Sequence, residues 1–223
     1  MKVLCACEYS GIVRDAFLKQ GHYAFSCDLL PCESPMYWVS DANHIQGDVL
    51  EILNEHWDLV IAFPPCTYLT NSGIRWFNEE RYGDKARERK RLRLEAMEFV
   101  TKIWNSNTHV CIENPVGYLS NNWQKPTQII QPYYFGDTES KRTCLWLKNL
   151  PKLKHTKLVE PKIHGYYKNG KKKGKPFYFS DALVSSKDRA KERSKFWRGV
   201  ADAMATQWTT NVIQGQKLFN GLN

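Results

Sequence analysis

Apolar positions in this chain gather into short continuous runs of strand length, and stretches with helical spacing lie between several of them. The run Val3-Leu4-Cys5-Ala6-Cys7 predicts a first strand, Tyr9-Ser10-Gly11 a turn, and Ile12 to Gln20, closed by Gly21, a helix. Tyr23 to Cys27 predicts a second strand that ends in Asp28-Leu29-Leu30-Pro31, after which a loop leads to Ile45-Gln46-Gly47-Asp48-Val49. Trp57 to Phe63 is almost uniformly apolar, as in a parallel strand covered on both faces, and Pro64-Pro65-Cys66 must break it.

Asp84 to Asn105 carries Leu92, Ala96, Phe99, Val100 and Ile103 at helical spacing, with Arg and Lys crowding its first half. This predicts one long amphipathic helix. His109 to Ile112 is the next strand, ending at Glu113-Asn114-Pro115, and Thr143 to Leu147 is rich enough in β-formers to predict a strand near the far edge. Gly199 to Trp208 predicts a helix whose inward face is Val200, Ala203, Met204 and Trp208. Strands alternating with helices predict an α/β fold with a doubly wound, mostly parallel sheet. Between Lys148 and Lys195 the sequence turns to Lys, Gly, Tyr and Ser with little periodicity. The expected division is therefore a main domain, 1–147 plus 196–223, and a small basic insert, 148–195.

No apolar stretch nears the roughly 20 residues that cross a bilayer, and the short apolar run after Met1 meets an acid at Glu8, unlike a secretory signal. Neither a membrane span nor export is expected. Seven cysteines with no Cys-x-x-Cys pair, and no His cluster at ligand spacing, argue against a metal site and against a disulfide framework. Cys5, Cys27 and Cys111 lie in apolar runs as buried free thiols would, which fits a reducing cytoplasm. Lys plus Arg number 32 against 23 Asp plus Glu, a net charge of +9 that suits a polyanionic partner, nucleic acid first.

In an open α/β sheet, ligands gather where the strands end. Four strand ends here are chemically pointed: Glu8-Tyr9-Ser10-Gly11, Asp28, Pro64-Pro65-Cys66 and Glu113-Asn114. An acid after the second strand can take two ribose hydroxyls, and Gly11 lets the backbone approach a ligand. Neither a G-x-G-x-x-G nor a GxxxxGK[ST] occurs, so a compact nucleoside is a better fit than a dinucleotide or triphosphate. Cys66 behind two prolines is either a stiffly held nucleophile or one more buried thiol; Glu113 on the adjacent strand supplies the carboxyl acid that would complete a covalent-catalysis pair. The lesser alternative for Glu113 is a helix or turn cap.

These residues resemble the C5-cytosine DNA methyltransferases, in the compact form common in phages and prophages. The family's Pro-Cys-Gln-x-Phe-Ser-x-x-Gly motif is matched by Pro65-Cys66-Thr67-Tyr68-Leu69-Thr70-Asn71-Ser72-Gly73, its Glu-Asn-Val by Glu113-Asn114-Pro115, and its Phe-x-Gly by Tyr9-Ser10-Gly11. Gly47-Asp48 matches the Gly-Asp beside the adenine, and Asp28 the second-strand acid. The Gln-x-Arg-x-Arg motif corresponds to Glu139-Ser140-Lys141-Arg142-Thr143, with Lys141 and Thr143 where arginines are expected, and Val13-Arg14 stands where the family prefers Gly-Gly.

The resemblance implies the class I S-adenosylmethionine-dependent methyltransferase fold and a role for each matched residue. Cys66 would add to C6 of cytosine, Glu113 would stabilise the charge developing in the ring, Asn114 would hold that carboxyl, and Lys141 would sit near the base or its phosphate. Tyr9, Ser10, Gly11, Ile12, Asp28, Asp48, Val49 and Pro64 would surround S-adenosylmethionine. The target cytosine must be flipped out of a duplex or supplied single-stranded. Thr67, Asn71, Ser72 and Arg75 would touch DNA from the loop after Cys66, and Lys171, Lys172, Lys173 and Arg193 from the insert, where basic residues alternate with aromatics. Arg87 to Arg93 is either a second phosphate-binding run or a solvated helix face. An insert this small implies a short or relaxed recognition site. A monomer acting on DNA in the host cytoplasm, without metal, is the expectation.

Two other readings stay open: the same fold modifying cytosine with another donor, or acting on RNA or a nucleotide; and a catalytically silent DNA-binding protein. Amino-methyl transfer fits less well, because that chemistry favours an aromatic residue where Cys66 follows Pro64-Pro65.

Overall fold

The computed structural model describes residues 1–33, 41–178 and 195–220. Seven strands form one sheet: β1 (Lys2–Ala6), β2 (Tyr23–Asp28), β3 (His44–Gln46), β4 (Leu59–Ala62), β5 (Val110–Pro115), β6 (Gln128–Ile130) and β7 (Thr143–Lys148). Their order is β3-β2-β1-β4-β5-β7-β6, and only β7 runs against its neighbours. The expected α/β architecture, doubly wound on a mostly parallel sheet, is the observed one.

Strand periodicity explains the layers. On β1, Val3 and Cys5 face the layer made by α1 (Ile12–Lys19) and α5 (Arg198–Asn220), where they meet Val13, Phe17, Val200, Met204 and Trp208. Leu4 and Ala6 face the opposite layer, where α3 (Asp84–Asn105) contributes Val100 and Ile103. Because both faces are covered, β4 is buried along its whole length, which is why Trp57 to Phe63 lacks alternation.

The structure adds to the expected elements at three places. The Thr143 strand is second from the edge and antiparallel, and the edge itself is β6, only three residues long and without a sequence signal of its own. Two short helices, α2 (Glu79–Tyr82) and α4 (Tyr118–Asn122), follow loops whose polar composition hid them. The last helix continues to Asn220, well past Trp208. In the 148–195 region, Leu150 and Leu153 pack into the α1/α5 layer, and the Trp208 indole donates to Pro151 O at 2.9 Å. Beyond them, β8 (Gly165–Tyr166) and β9 (Pro176–Phe177) pair as a separate hairpin.

Candidate active site

The sheet order reverses direction between β1 and β4, so their carboxyl ends open a crevice. At the β1 exit the chain turns through Gly11, whose φ of 69° lies in the left-handed region open to glycine. Glu8, only 4% exposed, folds back onto the start of α1. It accepts hydrogen bonds from Val13 N (2.8 Å), Arg14 N (3.3 Å) and Ser10 Oγ (3.1 Å). Burial pushes its pKa up to about 7, against the downward pull of those donors. Ser10 Oγ also accepts from Ile12 N at 3.4 Å. Tyr9 and Ser10 are buried, and Tyr9 O accepts from Glu33 N at 2.8 Å.

Asp28 ends β2 with its carboxylate half-buried, accepting from Leu30 N at 2.9 Å. Asp48, exposed, accepts from Leu50 N at 2.9 Å and begins the 3-10 turn in which Val49 is buried. The expected nucleoside set, Tyr9 to Ile12, Asp28, Asp48 and Val49, thus gathers at the exits of β1, β2 and β3. Val13-Arg14, at the family's Gly-Gly position, has a packing reason. Val13 is core, and the buried Arg14 pairs with Asp15 at 2.8 Å and donates to Ser26 Oγ at 3.1 Å, while Ser26 meets His44 Nδ1 at 2.8 Å.

The second half of the crevice lies at the exits of β4 and β5. These strands pair in parallel with Ala62 opposite Ile112, which brings Pro64 beside Asn114. Asn114, 1% exposed, donates from Nδ2 to Pro64 O at 2.8 Å, and its Oδ1 has no hydrogen-bond partner among the described residues. Pro64 is buried, whereas Cys66 and Thr67 are exposed. Glu113 sits one residue before Asn114, on the strand face shared with Leu145. Burial raises its pKa above the usual carboxylate range, and the Lys141 ammonium and the Thr143 hydroxyl pull it back. Lys141 also lies over the Trp197 ring, 4.9 Å from its centroid. The exit of β5 thus carries a carboxyl held above its usual pKa, and the loop after β4 carries an exposed cysteine.

The loop after Cys66 is fastened on two sides. Cys66 O accepts from Leu69 N and Thr70 N, both at 3.0 Å, and Leu69 O accepts from Tyr118 N at 2.7 Å, joining it to the segment after Glu113. From α3, Arg93 Nε donates to Tyr68 O (2.9 Å) and Arg89 donates to Thr67 O (3.2 Å). Sequence reasoning missed this use of the helix. The available signal was phase: Arg89 and Arg93 fall in step with Ala86, Ala96, Val100 and Ile103, whereas Arg87, Lys90 and Arg91 do not. Those three pair with acids instead, Arg87 with Asp84, Lys90 with Glu79 and Arg91 with Glu88 and Glu95.

Asn71 and Ser72 begin a 3-10 segment, Asn71–Phe77, in which Arg75 is exposed and lies over Trp76. Lys171, Lys172 and Lys173 are exposed at the tip of the β8–β9 hairpin, away from the β4 and β5 exits in sequence and in sheet. Arg193 lies outside the described residues. None of the seven cysteines is in a disulfide. Among the described residues no cluster of three His, Cys, Asp or Glu could hold a metal, and no helix is long and apolar enough to cross a membrane.

No protein-family model and no curated protein matches this chain. Among solved structures it is similar to a candidate DNA modification methyltransferase encoded within an E. coli prophage, with 13% identity and a TM-score of 0.43. The match covers 72% of this chain and 52% of that one, so this chain spans about half the length of that structure.

Proposed function

We propose that this chain is an S-adenosylmethionine-dependent DNA methyltransferase acting on C5 of cytosine through a covalent Cys66 adduct. The observation that carries the reading is the junction of β4 and β5. The Asn114 hydrogen bond to Pro64 O ties an exposed cysteine to the strand that ends in a carboxyl held above its usual pKa. That arrangement supports addition of a thiolate to an electron-poor ring with a proton donor nearby.

The β1 to β3 exits fit a nucleoside bearing no phosphate. Carboxylates at Asp28 and Asp48 can accept from hydroxyl or amine groups. The first amides of α1, which would otherwise cradle a phosphate, are already taken by Glu8 and Ser10. S-adenosylmethionine supplies an electrophilic methyl group when bound. The chain's own residues do the rest. Cys66 Sγ adds to C6 and raises electron density at C5, while Glu113 gives its proton to N3 so that the ring's negative charge is neutralised. After C5 is methylated, loss of the C5 proton to water restores the double bond and expels Cys66 as thiolate, and N3 returns its proton to the Glu113 carboxylate. Asn114 fixes the Pro64-Pro65-Cys66 exit, and Lys141 offsets the charge of Glu113. The exposed lysines of the β8–β9 hairpin suit phosphate contacts that carry no sequence information.

The test is nucleoside mass spectrometry of DNA incubated with the protein and S-adenosylmethionine. A 5-methylcytosine peak is expected, and it should vanish in Cys66→Ala while DNA affinity is retained. A different product, or an undiminished peak in Cys66→Ala, overturns the covalent C5 reading.

A further inference from the structure

We propose that Arg89 and Arg93 of α3 are positioning residues that set the Cys66 loop against the strand exit bearing Glu113. The inference rests on the reading of Cys66 as nucleophile and assigns two side chains that lie outside the motifs of the resemblance.

Arg93 is held in three directions. Its Nε donates to Tyr68 O, two residues beyond Cys66, and its guanidinium lies 3.3 Å from the Phe77 ring centroid and 4.2 Å from that of Tyr118. Phe77 ends the 3-10 segment of the Cys66 loop, and Tyr118 begins α4, three residues after Pro115 of β5. One planar cation therefore joins the two chain segments that carry Cys66 and Glu113. Arg89, one turn earlier, donates to Thr67 O, the residue next to Cys66, and lies over Tyr68 and Phe77 at 5.0 and 5.1 Å.

The pairing pattern separates these two from their neighbours. Arg87, Lys90 and Arg91 all meet carboxylates on the surface, whereas Arg89 and Arg93 have carbonyl oxygens and aromatic rings as partners and no ion pair with an acid among the described residues. Both sit half-buried on the helix stripe that continues into Val100 and Ile103, and burial lowers the pKa of Arg93. A half-buried cation on an apolar stripe is unfavourable for helix packing alone, and it is offset here by contacts to the Cys66 loop and to Tyr118. Arginine has the geometry for this use: a flat fork that can stack between rings while it donates in its plane.

The experiment compares wild type, Arg93→Lys, Arg93→Ala and Arg89→Ala in two assays. The first is methyl transfer to DNA, with kcat and KM separated. The second is the rate at which iodoacetamide alkylates Cys66, located by peptide mass spectrometry, with melting temperature followed alongside. A displacement of about 1 Å at a reacting group costs about 100-fold. Arg93→Ala is therefore expected to lose about 100-fold in kcat with KM for DNA little changed, and its alkylation rate should change several-fold while the fold persists. Arg93→Lys, able to donate but not to stack, should fall between the two, and added guanidinium should partly restore Arg93→Ala. If Arg93→Ala melts early, the milder Arg93→Lys and Arg89→Ala carry the test. Unchanged kcat and unchanged Cys66 alkylation in folded variants overturn the assignment. Should the wild-type protein methylate nothing, the functional reading fails separately, and the alkylation series still decides whether these arginines hold the loop.

Discussion

Gly117→Ala is the substitution with the clearest geometric consequence. Gly117 has an extended φ of −174°, so its backbone would accept any residue, and the constraint there is contact. A Cβ at this position would lie 2.3 Å from Leu69 O and 3.1 Å from Thr70 Cα, both backbone atoms of the Cys66 loop. Ordinary contact begins near 3.4 Å, so the two segments must part by about 1 Å. Parting them strains the Tyr118 N to Leu69 O hydrogen bond of 2.7 Å and the bridge between Thr70 and Gly117.

Overpacking of this kind costs about 1–3 kcal/mol, which in a chain of this size lowers the melting temperature by roughly 2–10 °C. The catalytic consequence is larger, because Cys66 stands three residues before Leu69 and Glu113 four before Gly117. A shift of about 1 Å in near-attack geometry lowers kcat about 100-fold. Thermal denaturation and single-turnover methyl transfer read the two effects separately. A variant that loses stability but keeps the wild-type rate refutes the idea that spacing between these loops governs the chemistry. One that keeps both refutes the contact itself.

Glu8 predicts a pH dependence of folding. Its folded pKa of about 7 lies above the ordinary carboxylate value, so the folded state holds the proton more tightly. The stabilisation is complete below pH ~4.5 and is lost as pH rises through about 7, a change of about 3 kcal/mol. Denaturant titrations should show this slope in wild type and a flatter one in Glu8→Gln, and equal slopes would contradict it. Glu113, also raised by burial, should give kcat/KM a basic limb, because activity declines as the acid form is lost with rising pH. Glu113→Gln should lower the rate about 10² to 10⁴-fold and remove that limb, as a pH series of initial rates would show. Replacing Lys171, Lys172 and Lys173 together with alanine should reduce the slope of log affinity against log salt by about 3, measured by fluorescence anisotropy, and an unchanged slope removes the hairpin from the interface.

How much was legible in the sequence follows from where each signal resides. Buried parallel strands and α3 declare themselves locally: Leu59 to Ala62 is apolar throughout because two helical layers cover it, and Asp84–Asn105 is a helix with the limits its pattern predicts. The strand-end residues were legible for the same reason, since Pro64-Pro65-Cys66 breaks the apolar run just after β4 and Glu113-Asn114 are the polar positions that close the apolar run of β5. Partnership was not legible. Glu8 stood out only as part of a chemically pointed strand end, and only the fold shows its carboxylate taking two amides of α1. Strand β6 is three residues whose role depends on β7 passing between it and β5. Arg89 and Arg93 were submerged in a run of like charges; helix phase sets them apart from Arg87, Lys90 and Arg91, but what each one meets depends on the positions of Glu79, Thr67 and Tyr68.

The same distinction bears on how the proposed site divides its work. Residues readable from sequence would act on ligands: a thiol, a carboxyl and acids at strand ends. The unread ones act on the chain, and they do so by occupying groups that a ligand could otherwise use. Glu8 fills the start of α1, where free amides would favour an anion, and so argues for a ligand recognised through hydroxyl and amine groups instead. Arg89 and Arg93 satisfy the Thr67 and Tyr68 carbonyls, so these two acceptors beside Cys66 are already partnered within the chain. Asn114 Oδ1, at the junction of β4 and β5, is buried with no partner among the described residues, as are Arg89 Nε, Gln131 Oε1 and Thr143 Oγ1. Asn114 is 1% exposed, so this open acceptor lies inside the chain and marks where the β4–β5 junction is incompletely paired, one residue from Glu113.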